Sequence, residues 1–409
     1  MKKLITLAMM LSVYGSVAHA QFLVNRSNGV CLTQDEKNLY FTSPEGQSLI
    51  TMDKETQQLT YTEWLAVDDN WKRLADCAIV KDGEVLFTYG HYVARYADGK
   101  IIDNRVEGAN QAEIGHFTGL SMAPDGHIWA STYSGAIGII GDDGSFTPMD
   151  ISRGNSQTLL QARKRDLVVD ESGNLWVEGG YKSATTGNAV QSLNRITDGK
   201  VEAVPVPEDF GIGYGECFNI EIDETGNIWY STRRNDGEKI VACMLKYDGV
   251  GYTLYELPTE MTVMDFKFDA QGRCWVLPWI GPIICVEDFE SGQYTLYNHK
   301  ELADYGSELR TMLHLEVDGE TVYAIGSKYM TLGNEGTYRQ RPLLFIIKDG
   351  EVSYTEIEPS GDSKNLDAIS SLSANTETAG ALFDLQGRRL TDAPTKGVYI
   401  QNGKKVIKK

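Results

Sequence analysis

The chain has 409 residues, a formal net charge of −19 and 42% hydrophobic side chains, enough to bury a sizeable core. Residues 21–378 alone carry −26, because the first twenty residues contribute +2 and residues 379–409 contribute +5. A body this acidic repels phosphate backbones and gains nothing from counterion release, which argues against a nucleic-acid partner; negative charge of this size also keeps a protein soluble.

In chain order, residues 1–20 come first and read as a secretory signal. Lys2 and Lys3 precede a short apolar run from Leu4 to Val13, and Ala18-His19-Ala20 forms a small-residue cleavage pattern. The run is too short to span a bilayer as a helix, and no later segment supplies about 18 consecutive apolar residues. The mature chain is expected to begin near Gln21. Export permits disulfides, but Cys31, Cys77, Cys217, Cys243, Cys274 and Cys285 include no C-x-x-C pair and fall mostly in apolar runs. Buried thiols are therefore expected, and Cys274 with Cys285 is the pair to test for a bridge.

From residue 21 to residue 358 the chain repeats one unit: an apolar run, a turn containing Asp and Gly, then an apolar or aromatic run. Four copies are plain, namely APDGHIWAST (123–132), DESGNLWVEG (170–179), DETGNIWYST (223–232) and DAQGRCWVLP (269–278). Weaker copies are DEKNLYFTS (35–43), KDGEVLFTY (81–89) and VDGETVYAIG (317–326). Aligning Tyr40, Leu86, Trp129, Trp176, Trp229, Trp275 and Tyr323 gives spacings of 46, 43, 47, 53, 46 and 48 residues. The Asp and Gly reverse the chain between antiparallel strands, and a second strand pair follows in most units. Four short strands cannot bury both faces alone, so such sheets stack around an axis. The expected fold is all-β, a propeller of seven four-stranded blades.

The D-x-x-G-x-[LI]-W-x-x-T pattern resembles the propeller repeats in sensor regions of two-component regulators. It is also similar to secreted lyases of the virginiamycin B lyase type. The resemblance covers roughly 30–358 and implies the fold. No catalytic residue is carried over from either family.

Residues 359–378 read as a small-residue, polar linker. Residues 379–409 follow, with strand-like ALFDL and GVYI and a two-residue Asn402-Gly403 hairpin turn before KKVIKK. DLQGRRL, KGVYIQNGKK and the terminal lysines resemble the C-terminal sorting domain of type IX secretion cargo. That resemblance implies an extracellular or outer-membrane-surface address; without a working tail the address would be periplasmic.

Function in a propeller is expected where the loops after the second strands and between blades converge. Those segments hold Tyr89, His91, Tyr133, Tyr181, Arg233, Arg234, Trp279 and Tyr329 after second strands. Between blades lie Trp64, Trp71, His116, Phe117, Phe210, Tyr214, His299 and Arg310. Aromatic rings suit sugars or peptide side chains, and arginine offers a fork to a carboxylate. The expected ligand-binding set is Tyr89, His91, His116, Tyr133, Tyr181, Tyr214, Arg233, Arg234, Trp279, His299, Arg310 and Tyr329. The repeat tryptophans are excluded from it as packing residues.

A binding protein for an extracellular glycan, peptide or surface protein is favoured, expected as a monomer without cofactor, metal site, nucleic-acid partner or membrane span. One alternative is a lyase using His91 or His116 as base and an arginine to neutralise a substrate carboxylate, with room for a divalent metal. The other is a sensing component working with a membrane partner. No G-x-S-x-G, H-E-x-x-H or phosphate-loop motif is present.

Overall fold

The seven turn-and-aromatic copies each start a blade. A computed structural model describes residues 31–43, 48–63, 75–89, 92–104, 117–132, 135–153, 158–159, 167–182, 187, 189–213, 219–235, 239–299, 302, 309–332, 337–357, 382–383, 389–390, 397–401 and 404–408. Within these, seven antiparallel sheets follow one another along the chain. They span 32–63, 75–104, 117–148, 152–205, 220–256, 263–297 and 309–356, and are blades 1 to 7. Each has four strands in sequence order; blade 4 adds the two-residue strands Ser152–Arg153 and Thr158–Leu159. The all-β seven-bladed propeller is therefore the fold.

All seven aligned residues sit on second strands, each paired with a first-strand residue. The pairs are Thr33 with Tyr40, Ile79 with Leu86, Ser121 with Trp129, Val168 with Trp176, Glu221 with Trp229, Lys267 with Trp275, and Glu316 with Tyr323. First strands of neighbouring blades lie against one another, so they form the ring around the axis. The fourth strands are outermost and alternate toward solvent, as in Glu351–Glu356.

The apolar core is correspondingly divided. Among the described residues seven buried clusters occur, one at each seam between adjacent blades. Trp229 shows the logic. It is 4% exposed and packs on Tyr255, Phe268 and Phe289 with ring centroids 5.6, 5.4 and 4.6 Å away. Among the described residues the four main strands of every blade are consecutive, and no strand is exchanged between blades 1 and 7. Closure rests on side chains: Phe41, Ile50 and Met52 pack against Tyr323, Ile325 and Leu344. Lys54 adds an ion pair to Asp318 at 2.9 Å.

The first turns are less uniform than the repeat implies. Those at 170–174, 223–227 and 269–273 place a glycine at positive φ (Gly173, Gly226 and Gly272) after an aspartate that accepts backbone N–H groups. At Asp82-Gly83 both residues have positive φ, a two-residue hairpin turn instead. Both chemistries reverse the chain between the same two strands, so the register of the blade survives the difference.

Two cysteine expectations separate. Cys31, Cys243, Cys274 and Cys285 are buried, and burial pushes the Cys285 thiol up to about 12. Cys274 and Cys285, however, are not disulfide-bonded and pack in different seams, one toward blade 5 and the other toward blade 7. Their strands pair Cys274 with Val286 and Trp275 with Cys285, which puts the two thiols on opposite faces. Cys217 lies outside the described residues.

The chain divides into two units, 1–358 and 359–409. In the second, Leu382–Phe383, Arg389–Leu390, Gly397–Gln401 and Lys404–Lys408 form one antiparallel sheet. Its hairpin pairs Gln401 with Lys404, the register a two-residue turn requires. The expected hairpin is thus half of a four-stranded sheet. Residues 1–20 and 359–378 lie outside the described residues, and no described helix is long and apolar enough to cross a membrane.

Candidate functional site

Several residues expected on loops belong to strands. Second strands run further than the apolar pattern indicates, through Lys182 in blade 4, Asn235 in blade 5 and Leu332 in blade 7. Tyr181, Arg233, Arg234 and Tyr329 therefore have strand backbone; Tyr89 ends the strand Glu84–Tyr89, and Arg310 lies in Leu309–Asp318. Backbone pairing with the third strand holds these residues extended even where apolar alternation stops. Phe117 is a core residue, 2% exposed and edge-on to Phe146 at 5.2 Å. His91, His116, Tyr133, Tyr214, Trp64 and Trp71 lie outside the described residues.

The contacts of Arg234, Trp279 and His299 fall at three separate places. Arg234 forms an ion pair with Glu256, on the fourth strand of its own blade. His299 stacks on Tyr354 with centroids 5.5 Å apart and lies edge-on to Phe345 at 5.9 Å, over the outer strands of blade 7. Trp279 is 4% exposed; its N–H donates to the Thr262 carbonyl at 2.7 Å, and its carbonyl accepts from Met312 N–H at 3.1 Å. Its indole N–H finds no hydrogen-bond partner among the described residues.

A second group does converge, and it lies on the first strands. Of the seven first-strand residues opposite the aligned positions, Thr33, Ile79, Ser121 and Val168 are neutral, whereas Glu221, Lys267 and Glu316 are charged. At this register position charge is therefore confined to blades 5, 6 and 7. Asp265 and His314 lie two residues before Lys267 and Glu316, next to β-bulges at 263–265 and 312–314. A bulge re-aims the side chains around it, which brings these two strands' polar groups together.

Each charged residue bridges a seam. The Lys267 ammonium pairs with the Glu221 carboxylate across blades 5 and 6, and the Asn219 amide donates to the Met264 carbonyl nearby. Asp265 accepts from its neighbour Phe266 N–H at 2.9 Å and, across to blade 7, from Leu315 N–H at 2.8 Å. His314 Nδ1 stands 3.9 Å from the same carboxylate. Gln34 in blade 1 donates its amide to Glu316 Oε2 at 3.3 Å and to the Val317 carbonyl at 2.7 Å.

Solvent reaches the carboxylates less than the bases: the Asp265 side chain is 13% exposed and that of Glu221 21%, against 32% for Lys267 and 37% for His314. Burial pushes the Glu316 carboxyl up to about 7 and that of Asp265 up to about 6, with attraction to Lys267 opposing both. Burial also raises Glu221, again against Lys267. Among the described residues no three His, Cys, Asp or Glu side chains gather as a metal-ligand set. What the arrangement offers is a fixed row of acceptors and one ammonium, held on strands rather than loops.

The sequence carried a signal for this group. Glu221, Lys267 and Glu316 each stand two residues before the turn Asp in IEID, KFD and LEVD, where blade 4 has Val168 in VVD. Aligning the residues before the turn, as well as those after it, picks out all three.

No protein-family model matches the chain, and no curated protein matches it. Solved structures do. A catalytically inactive virginiamycin B lyase from Staphylococcus aureus, with quinupristin, is similar with a TM-score of 0.55 and 17% identity, over 72% of this chain and 90% of that one. YCF48 bound to D1 peptide is similar with a TM-score of 0.51 and 13% identity, over 76% of this chain and 92% of that one. At these identities the likeness shows the fold alone.

Proposed function

We propose that this chain is an exported binding protein that holds an extracellular peptide or glycan at the propeller axis. One observation carries the reading: opposite the aligned residue, the inner strands of blades 5 to 7 place Glu221, Lys267 and Glu316 where blades 1 to 4 have Thr33, Ile79, Ser121 and Val168, and Asp265 stands two residues before Lys267. Burying charge costs stability unless every charge is fully paired, and the neutral blades indicate that the fold does not require it. Three carboxylates favour a ligand that presents donors (hydroxyls, amides or an amine). A ligand carboxylate would meet only Lys267 among the four. Two propellers of similar fold carry a peptide and quinupristin, which makes peptides the first class to test. Residues 1–20 as export signal and 379–409 as a sorting-like tail complete the proposal, with a cell-surface or secreted address.

The test is titration of the chain from Gln21 to Lys409 with basic, neutral and acidic peptides and with neutral and acidic oligosaccharides, followed by calorimetry and thermal shift. A ligand at a hundred times its dissociation constant adds about 2.7 kcal/mol of stability. Affinity should fall at least tenfold in Asp265→Ala with Glu316→Ala. A ligand that binds this variant unchanged would place the site away from the axis.

A further inference from the structure

Among the described residues, charge at the axis is unbalanced. Glu221, Asp265 and Glu316 face one lysine, Lys267, and one imidazole, His314, on three neighbouring inner strands. Glu316 is acted on by Gln34 from blade 1, by Asp265 and Lys267 from blade 6, and by Glu221 from blade 5. Asp265 is acted on by Lys267 of its own strand and approached by Leu315 N–H and His314 from blade 7. These are the titratable and charged groups around the pair among the described residues.

Their hydrogen bonding is thin for buried carboxylates. Glu316 accepts one side-chain hydrogen bond and Asp265 two backbone ones. By contrast, the turn carboxylate of Asp170 accepts from Ser172 N–H, Asn174 N–H, the Asn174 amide and the Trp176 indole. A carboxylate held by few donors in poorly hydrated surroundings gives up its charge readily.

We propose that the inner seam of blades 5, 6, 7 and 1 is a proton-operated charge switch, rich in carboxylate charge at neutral pH and relieved of most of it in mild acid. The direction follows from linkage. A carboxyl whose folded pKa lies above its unfolded value makes its stabilising contribution below the unfolded value, and loses it as pH rises through the folded one. For Asp265 and Glu316 that window runs from about 4 to between 6 and 7. The seam therefore tightens on mild acidification, while negative charge at the axis falls. For a ligand held there, on the reading above, a cationic group would be retained at neutral pH and released in acid.

The switch is tested on the ligand-free chain, so it can fail or succeed whether or not a ligand is ever found. Side-chain carboxyl 13C signals of Asp and Glu are followed from pH 3 to pH 8. At least two midpoints above about 5.5 are expected, well over the ordinary carboxylate range. Glu316→Gln should remove one of them, and Lys267→Met should move the remainder upward. In thermal melts Glu316→Gln should exceed the wild type at pH 8 and converge with it by pH 5. All midpoints below 5, or a Glu316→Gln melt that runs parallel to the wild type at every pH, would overturn the proposal. If Lys267→Met does not fold, the wild-type titration and Glu316→Gln still decide.

Discussion

The same functional group, a carboxylate, does opposite work at two places in the later blades. At the turn before the second strand, Asp170, Asp223 and Asp269 use one oxygen to accept backbone N–H groups of the turn. The other oxygen accepts the indole N–H of Trp176, Trp229 or Trp275 at 2.7 to 2.9 Å. Burial pushes the Asp170 and Asp223 carboxyls upward, but the indole, the asparagine amide and the backbone donors outweigh it and hold both below their ordinary value. In blade 1 Asp35 does the same with the Tyr40 hydroxyl at 2.7 Å. A few residues away on the inner strands, Asp265 and Glu316 are more deeply enclosed, have fewer donors, and are held above the ordinary value. Enclosure and donors therefore act together: where the turn supplies enough donors the carboxylate serves as scaffold, and where enclosure is deeper and donors are fewer it is held ready to take up a proton.

The largest expected effect breaks the scaffold half of that pair. Trp229→Ala removes a buried ring that packs on Tyr255, Phe268 and Phe289 and leaves Asp223 without its indole donor. A loss of about 3–5 kcal/mol is expected for such a truncation, read from denaturant unfolding. Trp229→Phe should recover more than half of it, because packing outweighs the single hydrogen bond. A phenylalanine variant as unstable as the alanine one would mean that the Asp223 contact, not the ring, holds the seam.

Next in size, Asp223→Ala should cost about 1–3 kcal/mol at pH 7, since it unties the turn N–H groups of Thr225 and Asn227 and the Trp229 indole. The sign with pH is opposite to that of the axial pair. A carboxyl held below its unfolded pKa contributes above about 4 and loses that contribution as pH falls through the folded value. The gap between wild type and Asp223→Ala should therefore close below about pH 4, where Glu316→Gln and wild type already coincide. Equal gaps for Asp223→Ala at pH 7 and pH 2.5 would show that the turn is held by shape and not by charge.

The division between scaffold and axis also explains what the sequence could show. Turn, strand and aromatic recur with a period near 47 because every blade must solve the same packing problem, so Trp129, Trp176, Trp229 and Trp275 announce the fold. Glu221, Lys267 and Glu316 recur at one register position but differ in sign, and a search for sameness passes over them. They become visible once blades are aligned on the strand before the turn. Strand length was hidden for another reason. The second strand of blade 7 runs from Thr321 to Leu332, past the buried stretch, because it pairs with Thr337–Lys348 on the next strand. That is long-range pairing, which alternation within one strand does not record, and it moves Tyr329 from a loop into a sheet.

The smallest expected effect sharpens the comparison at the blade where the aspartate is missing. Blade 3 keeps the turn geometry: Gly126 N–H donates to the Ala123 carbonyl at 2.9 Å, as Gly173 N–H donates to that of Asp170. Ala123 occupies the aspartate position, however, and Trp129 is less buried than Trp176, Trp229 or Trp275. Ala123→Asp places a carboxylate where blades 4, 5 and 6 already hold one, with the turn N–H of His127 and the indole of Trp129 as its donors. His127 N–H now donates to Asp125 at 3.0 Å, so only part of the new bonding is gain. A stabilisation of about 0.5–1 kcal/mol at pH 7 is expected, disappearing below about pH 4. A destabilised variant would mean that donors on the turn are not sufficient, and that the carboxylates of blades 4 to 6 depend on the polar side chain each turn adds, Asn174, Asn227 or Arg273.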